Sequence, residues 1–123
     1  LESLPSADLT AEALDLFLVY RDEVGVAGVV GLETYGDVGL LRSLVVTNKH
    51  TGRGLGRRLV SAAEELAKEH HVHAIYLLTT TAEAFFEYMG FRRIERDTAP
   101  LTIQRSHQFS ALCPTTAVLM VKP

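Results

Sequence analysis

Three glycines, Gly52, Gly54 and Gly56, alternate with Arg53 and Leu55 in the stretch HTGRGLGRRLV, His50 to Val60, and an amphipathic run follows at once. Glycines just ahead of a helix leave backbone N–H groups free, and the helix dipole adds partial positive charge, so the segment has the makings of an anion site. Lys49, Arg53, Arg57 and Arg58 add cationic side chains near it. A pyrophosphate with a further phosphate close by suits that set. The competing reading is a tight turn whose glycines only permit unusual backbone angles.

Two phosphate motifs are tested directly. A dinucleotide fingerprint, G-x-G-x-x-G, begun at Gly52 needs glycine where Arg57 stands. Begun at Gly54 it needs glycine at Leu59, so both frames fail. A P-loop requires a Gly-Lys pair, and the sequence has none.

The elements that must position this loop are legible from periodicity. Phe17 to Tyr20, Val26 to Tyr35 and Val38 to Val46 are rich in β-branched residues and read as three strands. The polar RDE and Gly36-Asp37 form turns between them, which predicts antiparallel hairpins. From Gly52 the period becomes helical, with Leu55, Leu59, Ala62, Ala63 and Leu66 on one side. Ala74 to Thr80 reads as a buried strand. Thr80 or Thr81 can cap a short helix running to about Met89, and Gly90 ends it. FRRIER and TAVLMVK read as closing strands, with helix or loop between them. The fold class is therefore α/β: a mixed, mostly antiparallel sheet with flanking helices.

Composition narrows the function. The 123 residues suffice for one domain spanning 1–123 and not for two. A net charge of −3 argues against general nucleic-acid binding. No apolar run is long enough to span a bilayer. Cys113 is the single cysteine, so a disulfide within the chain is excluded and a reducing, cytoplasmic compartment fits. The opening residues lack the charged-then-apolar pattern of a signal peptide, so none is expected there. The cluster HHVH, His70 to His73, lacks a cysteine or carboxylate at ligand spacing, so no metal site is expected.

Two blocks taken together carry a resemblance. LRSLVVTNKHTGRGLGRRLV followed by TTTAEAFFEYMGFRRI resembles the GNAT superfamily of acyl-CoA-dependent N-acetyltransferases. Thr51 to Gly56 matches its R/Q-x-x-G-x-G/A pyrophosphate loop, and Ala82 to Phe91 its A-x-x-x-Y-x-x-x-G-F helix and strand. With the strands before them, these blocks cover residues 15 to 95 or thereabouts. More narrowly, GLETYGDVGLLRSLVV, LLTTTAEAFF and ALCP look like the branch often encoded beside arsenic-resistance genes.

The resemblance implies a sheet with two splayed strands and a donor, acetyl-CoA, lying in the gap. The backbone of Leu44, Val45 and Val46 would pair with its pantetheine amides, as an added strand does. One N–H there would stabilise the oxyanion. Thr51, Gly52, Arg53, Gly54, Leu55, Gly56 and Arg57 would hold the pyrophosphate. Three departures from the family pattern stand out. Thr51 replaces the usual Arg or Gln, which predicts weaker donor binding. Phe86 stands where the family places a tyrosine thought to protonate the thiolate, and Tyr88 lies about 200° further round a helix. Only LPSADLTAEAL precedes the first clear strand, so the family's opening strand and most of its first helix are expected to be missing. An incomplete chain or a partner subunit would account for that, and exposed edge and apolar surface favour a homodimer.

Within that frame Glu33 is the candidate base, direct or through water, since a carboxylate ending the apolar run VAGVVGLE would have a raised pKa if partly buried. A solvent-facing strand-end charge is the alternative. Arg42 and Ser43 interrupt VGLLRSLVV just before the gap, a polar pair that would face the acceptor, with Arg42 gripping a carboxylate; a solvent-facing charge is the alternative for Arg42. Strict alternation sets Leu41, Ser43 and Val45 on one face and Arg42, Leu44 and Val46 on the other. Thr79, Thr80 and Thr81 either touch pantetheine or only end the strand. Arg105, Ser106, His107 and Cys113 are further candidates for lining the acceptor site. The expected activity is acetyl transfer to a small-molecule amine, amino acid-like or arsenical, by direct attack. The alternative is a non-catalytic acyl-CoA-binding module.

Overall fold

The computed structural model describes residues 13–47, 54–106 and 117–123. Strands β1 (Ala13–Arg21), β2 (Val26–Tyr35) and β3 (Val38–Val46) form an antiparallel meander. Asp22 shapes the first turn. Its Oδ1 accepts from the backbone N–H groups of Val24 and Gly25 at 2.8 and 3.0 Å. Gly36, with φ 68°, supplies the left-handed residue of the second. β1 is longer than the four residues its apolar run suggests. Asp15 interrupts the apolar pattern, yet it pairs in register opposite Glu33.

Helix α1 (Leu55–Glu69) follows and buries Leu55, Leu59, Val60, Ala63 and Ala67 against the sheet. Gly28 of β2 makes that approach possible. A Cβ there would lie 2.8 Å from Leu59 Cδ1 and 3.1 Å from the Val45 carbonyl oxygen. Strand β4 (Ala74–Thr79) returns parallel to β3. Next come α2 (Glu83–Tyr88), β5 (Arg92–Ile94), a 3₁₀ turn (Arg96–Thr98), α3 (Leu101–Gln104) and β6 (Val118–Lys122). The strand order is β1-β2-β3-β4-β6-β5. Only β3 and β4 are parallel neighbours, so the mixed, mostly antiparallel sheet holds as expected. The order of the two closing strands is not readable from sequence: β6 slots between β4 and β5.

The sheet separates two apolar cores. Val30, Leu32, Leu41, Leu77, Phe86 and Met120 pack with α1 on one face. Leu40, Ala99, Ile103 and Leu119 close the other. Among the described residues no helix is long and apolar enough to cross a membrane.

The two longer helices use the same ending. At α2, Gly90 N–H bonds the Glu87 carbonyl at 3.0 Å and Phe91 N–H bonds the Phe86 carbonyl at 2.9 Å. Gly90 sits at φ 100°, and the Phe86 and Phe91 rings meet edge to face at 5.6 Å. That pair of bonds with its apolar contact is a Schellman motif. At α1, His71 takes the left-handed place at φ 61° and Val72 N–H bonds Ala67 at 2.9 Å. The histidine cluster is therefore a helix ending. Among the described residues no three of His, Cys, Asp or Glu gather as a metal site.

A side chain at Gly90 would be strained in its left-handed angle and would press Lys122 Cε at 3.1 Å. We expect Gly90→Ala to lower unfolding stability by about 1–2 kcal/mol, read from denaturant midpoints at unchanged slope. An unchanged midpoint would show that the α2 ending does not constrain this corner.

Candidate active site

Parallel pairing between β3 and β4 covers only Val38–Ala74, Gly39–Ile75 and Leu40–Tyr76. Beyond Leu40 the strands part. A cavity of about 320 Å³ opens between them, lined by Arg42, Ser43, Leu44, Thr79, Thr81 and Phe86 among others. From Leu41 to Val46, β3 keeps β2 on one edge and has no strand on the other among the described residues.

A bulge sits at the mouth of this gap. Pairing runs Gly28–Val46 and Val29–Val45, then resumes at Gly31–Arg42, so Ser43 and Leu44 together oppose Val30. Ser43 adopts φ 58°, a left-handed angle costly for a non-glycine residue. The bulge corrects the expected alternation. Leu41, Leu44 and Val46 all pack toward the α1 core, because the inserted residue shifts the phase by one. Arg42 lies on the opposite face with Glu33.

Arg42 is the hub of a cross-strand cluster. Its Nη2 donates to Asp15 Oδ1 and Oδ2 at 3.0 and 2.8 Å. Its Nε lies 2.8 Å from Glu33 Oε2, an ion-pair contact without hydrogen-bond alignment, since Nε is buried and makes no hydrogen bond. The Tyr35 hydroxyl donates to Glu33 Oε1. Burial, then the hydrogen bond to Glu33, pushes the Tyr35 phenol well above the usual tyrosine range. The Arg42 guanidinium also stacks on Phe17, 5.1 Å from the ring centroid. Gly31 leaves room for this. A Cβ there would lie 2.9 Å from Phe17 Cε1 and 3.2 Å from Arg42 Cγ.

Glu33 and Arg42 are thus in contact with each other. Glu33 is no strand-end charge facing solvent; it lies within β2, and its side chain is 13% exposed. Sequence reading missed Asp15, Phe17, Gly31 and Tyr35. The available signal was Asp15 itself, a charge inside an apolar strand whose hairpin partner carries a second charge.

At the far end of β3 the chain reaches the start of α1. Gly54 occupies the N-cap at φ 81°, and Arg58 N–H bonds its carbonyl at 3.1 Å. The first turn holds no acidic residue, whereas Arg57 and Arg58 stand in it. Cations there oppose the helix dipole, an arrangement that an anionic ligand would relieve. Arg57 Nη1 donates to the Tyr88 hydroxyl at 3.2 Å, and Arg58 stacks on Tyr20 at 5.6 Å. Gly54, Arg57, Arg58, Ser61, Tyr88 and Met89 line an open cavity of about 530 Å³. Gly56 faces Phe85, and Leu55 is buried in the core. Lys49, Thr51, Gly52 and Arg53 lie outside the described residues.

Phe86 is buried and reaches the β3–β4 cavity, where it offers no proton. Tyr88 lines the other cavity, so it does not stand in for Phe86. The N-cap of α2 is Ala82, without a side-chain cap, so neither Thr80 nor Thr81 caps the helix; Thr79 Oγ1 instead accepts from Ala82 N–H at 3.0 Å in the turn ahead of it. Strand β4 ends one residue early, which places the hydroxyl of Thr79 under the helix. Ser106 is buried with its Oγ bonded to the Ile103 carbonyl at 2.7 Å. His107 and Cys113 lie outside the described residues.

Residues 13–93 match the family described as acetyltransferase (GNAT) domain. An uncharacterised N-acetyltransferase of Chlorobaculum tepidum is 37% identical over 65 residues, 53% of this chain and 41% of that relative. The chain therefore spans less than half the length of the relative it matches. N-acetylglutamate synthase from Neisseria gonorrhoeae, solved with coenzyme A and N-acetyl-glutamate, superposes with a TM-score of 0.77 at 20% identity. That match covers 86% of this chain and 25% of the synthase. A Mycobacterium tuberculosis protein solved with CoA and NLQ gives 0.73 at 23% identity, covering 86% and 74%. The family match runs from the first described strand, across the β3–β4 gap, to β5. This chain belongs to the GNAT acetyltransferase family.

Proposed function

We propose that this chain moves an acetyl group from acetyl-CoA to a small-molecule amine by direct attack, without a covalent enzyme intermediate. The observation that carries the reading is the open edge of β3 past Leu40, which leads from the Arg42 cluster to the cationic start of α1. The pantetheine arm would pair with the backbone of Leu44, Val45 and Val46 along that edge. The pyrophosphate would sit on amides of residues 51–57, with Arg57 and Arg58 close by. CoA bound in both structural neighbours supports acetyl-CoA as the donor.

The acceptor end lies at Arg42 and Ser43, which line the gap. Glu33 is the proposed base, reached directly or through a water, and Arg42 holds its carboxylate. The amine nitrogen attacks the thioester carbonyl carbon, the C–S bond breaks, and the amine proton passes to Glu33. The sulfur leaves as thiolate. With Phe86 in place of a proton donor that route remains open, because a thiol of pKa about 8.5 is a fair leaving group as its anion. An amino acid-like or arsenical acceptor rests on the sequence resemblance to the arsenic-linked branch, and a cytoplasmic setting rests on the single cysteine, Cys113. A homodimer rests on β1 being the outermost strand among the described residues and on exposed Phe17 and Val19. Phe86 also favours a second reading, a domain that binds acyl-CoA without turning it over.

Calorimetric titration of acetyl-CoA is expected to give micromolar binding near one per chain, and weaker binding of dephospho-CoA. No heat at millimolar donor would overturn the proposal. Arg57→Ala should weaken acetyl-CoA about tenfold, the worth of one charge-assisted contact. With an amine found by screening, Glu33→Gln should cut kcat by about 10²–10⁴ while the KM for acetyl-CoA holds. Binding with no turnover for any amine would favour the second reading.

A further inference from the structure

We propose that Asp15 is a positioning residue that commits Arg42 to the protein and closes its guanidinium to an acceptor's carboxylate. This rests on the reading that Arg42 faces the acceptor end of the gap. A guanidinium grips a carboxylate through two parallel N–H groups, on its Nε/Nη2 edge or its Nη1/Nη2 edge. Both edges use Nη2. Asp15 sits on that nitrogen with both oxygens, at 3.0 and 2.8 Å, while Glu33 sits 2.8 Å from Nε. Only Nη1 is left without a partner among the described residues.

Three strands build this clamp. Phe17, two residues along β1 from Asp15, lays its ring against the guanidinium, and Gly31 of β2 clears the space beneath. The Asp15 side chain is 54% exposed, so it can be exchanged without disturbing a core. With Asp15 in place an incoming acceptor finds at most one donor on Arg42. The acceptor class is then an amine whose binding does not depend on a carboxylate gripped there. Without Asp15 the Nη1/Nη2 edge is free to take one.

The test follows the Arg42 Nε–Hε signal by NMR in the full chain, assigned through Arg42→Lys, as L-glutamate is added and, separately, ethylamine. In the native protein and in Asp15→Glu the group should be as ordered as the backbone, and L-glutamate should leave it unmoved. In Asp15→Ala its heteronuclear NOE should fall. L-glutamate should then shift it at a concentration at least about tenfold below any native response, the equivalent of one charged hydrogen bond. Ethylamine should treat native and Asp15→Ala alike. A native signal that responds to glutamate as readily as the variant overturns the proposal. So does a variant that lacks either the added motion or the glutamate response. Acetyl-CoA calorimetry on the same proteins keeps the transfer reading separate, since its failure leaves the Arg42 result standing.

Discussion

Everything that gives this sheet a chemical use follows from the parting of β3 and β4. Parallel pairing is slanted and needs a crossover, and here α1 provides one. After three paired positions the strands separate, and the bulge at Ser43 turns β3 as they do. The unpaired edge that results would be a liability on an outer strand. In the middle of a sheet it becomes a slot with hydrogen-bonding groups on one wall. Leu44 and Val46 stay on the core side because the bulge changes the phase, so the wall is held rigid while its edge stays open.

The Arg42 cluster solves a second problem on the same strands. Asp15 and Glu33 are directly opposite one another across β1 and β2, where like charges repel. A guanidinium from β3 reaches across two strands to sit between them. It can do so only because glycine occupies position 31. The stacking on Phe17 shields one face of the cation and leaves that ring half exposed. Energetically the two pairs differ: the Arg42–Glu33 contact is mostly buried and exchanges desolvation for pairing, whereas Asp15 is half exposed and its pairing is screened by solvent.

Much of this was legible in the sequence. Strong periodicity marked β2, β3 and α1, and the residues at the gap, Arg42 and Ser43, stood out as polar interruptions of an apolar strand. Glu33 and Arg42 lie on the two strands of one hairpin, nine positions apart, and each stands out as a charge in an apolar strand. What alternation alone cannot reveal is a bulge, because one inserted residue leaves composition untouched while reversing every side chain after it. The partners of Arg42 were hidden for a related reason. Asp15 joins the cluster through strand register, which depends on the irregularity between Tyr20 and Arg21. The start of α2 falls on Ala82 with no threonine capping it, since three threonines in a row give composition no means to place the turn. The place of β6 is a matter of topology, which local pattern does not carry.

That place has a consequence for how the molecule assembles. β5 pairs with β6 and with no other described strand, and β4 relies on β6 for its second neighbour. Lys122 of β6 also ties Glu64 of α1 and the Met89 carbonyl at the end of α2. As the chain emerges during synthesis, the meander and α1 can settle from contacts close in sequence. The outer half of the sheet must wait for a strand made long after its neighbours, a pairing of high contact order. Until then the far edge of β4 is bare, and the nascent chain offers a sticky edge on that side. The wall of the gap that β4 forms is thus the last part of the slot to become firm.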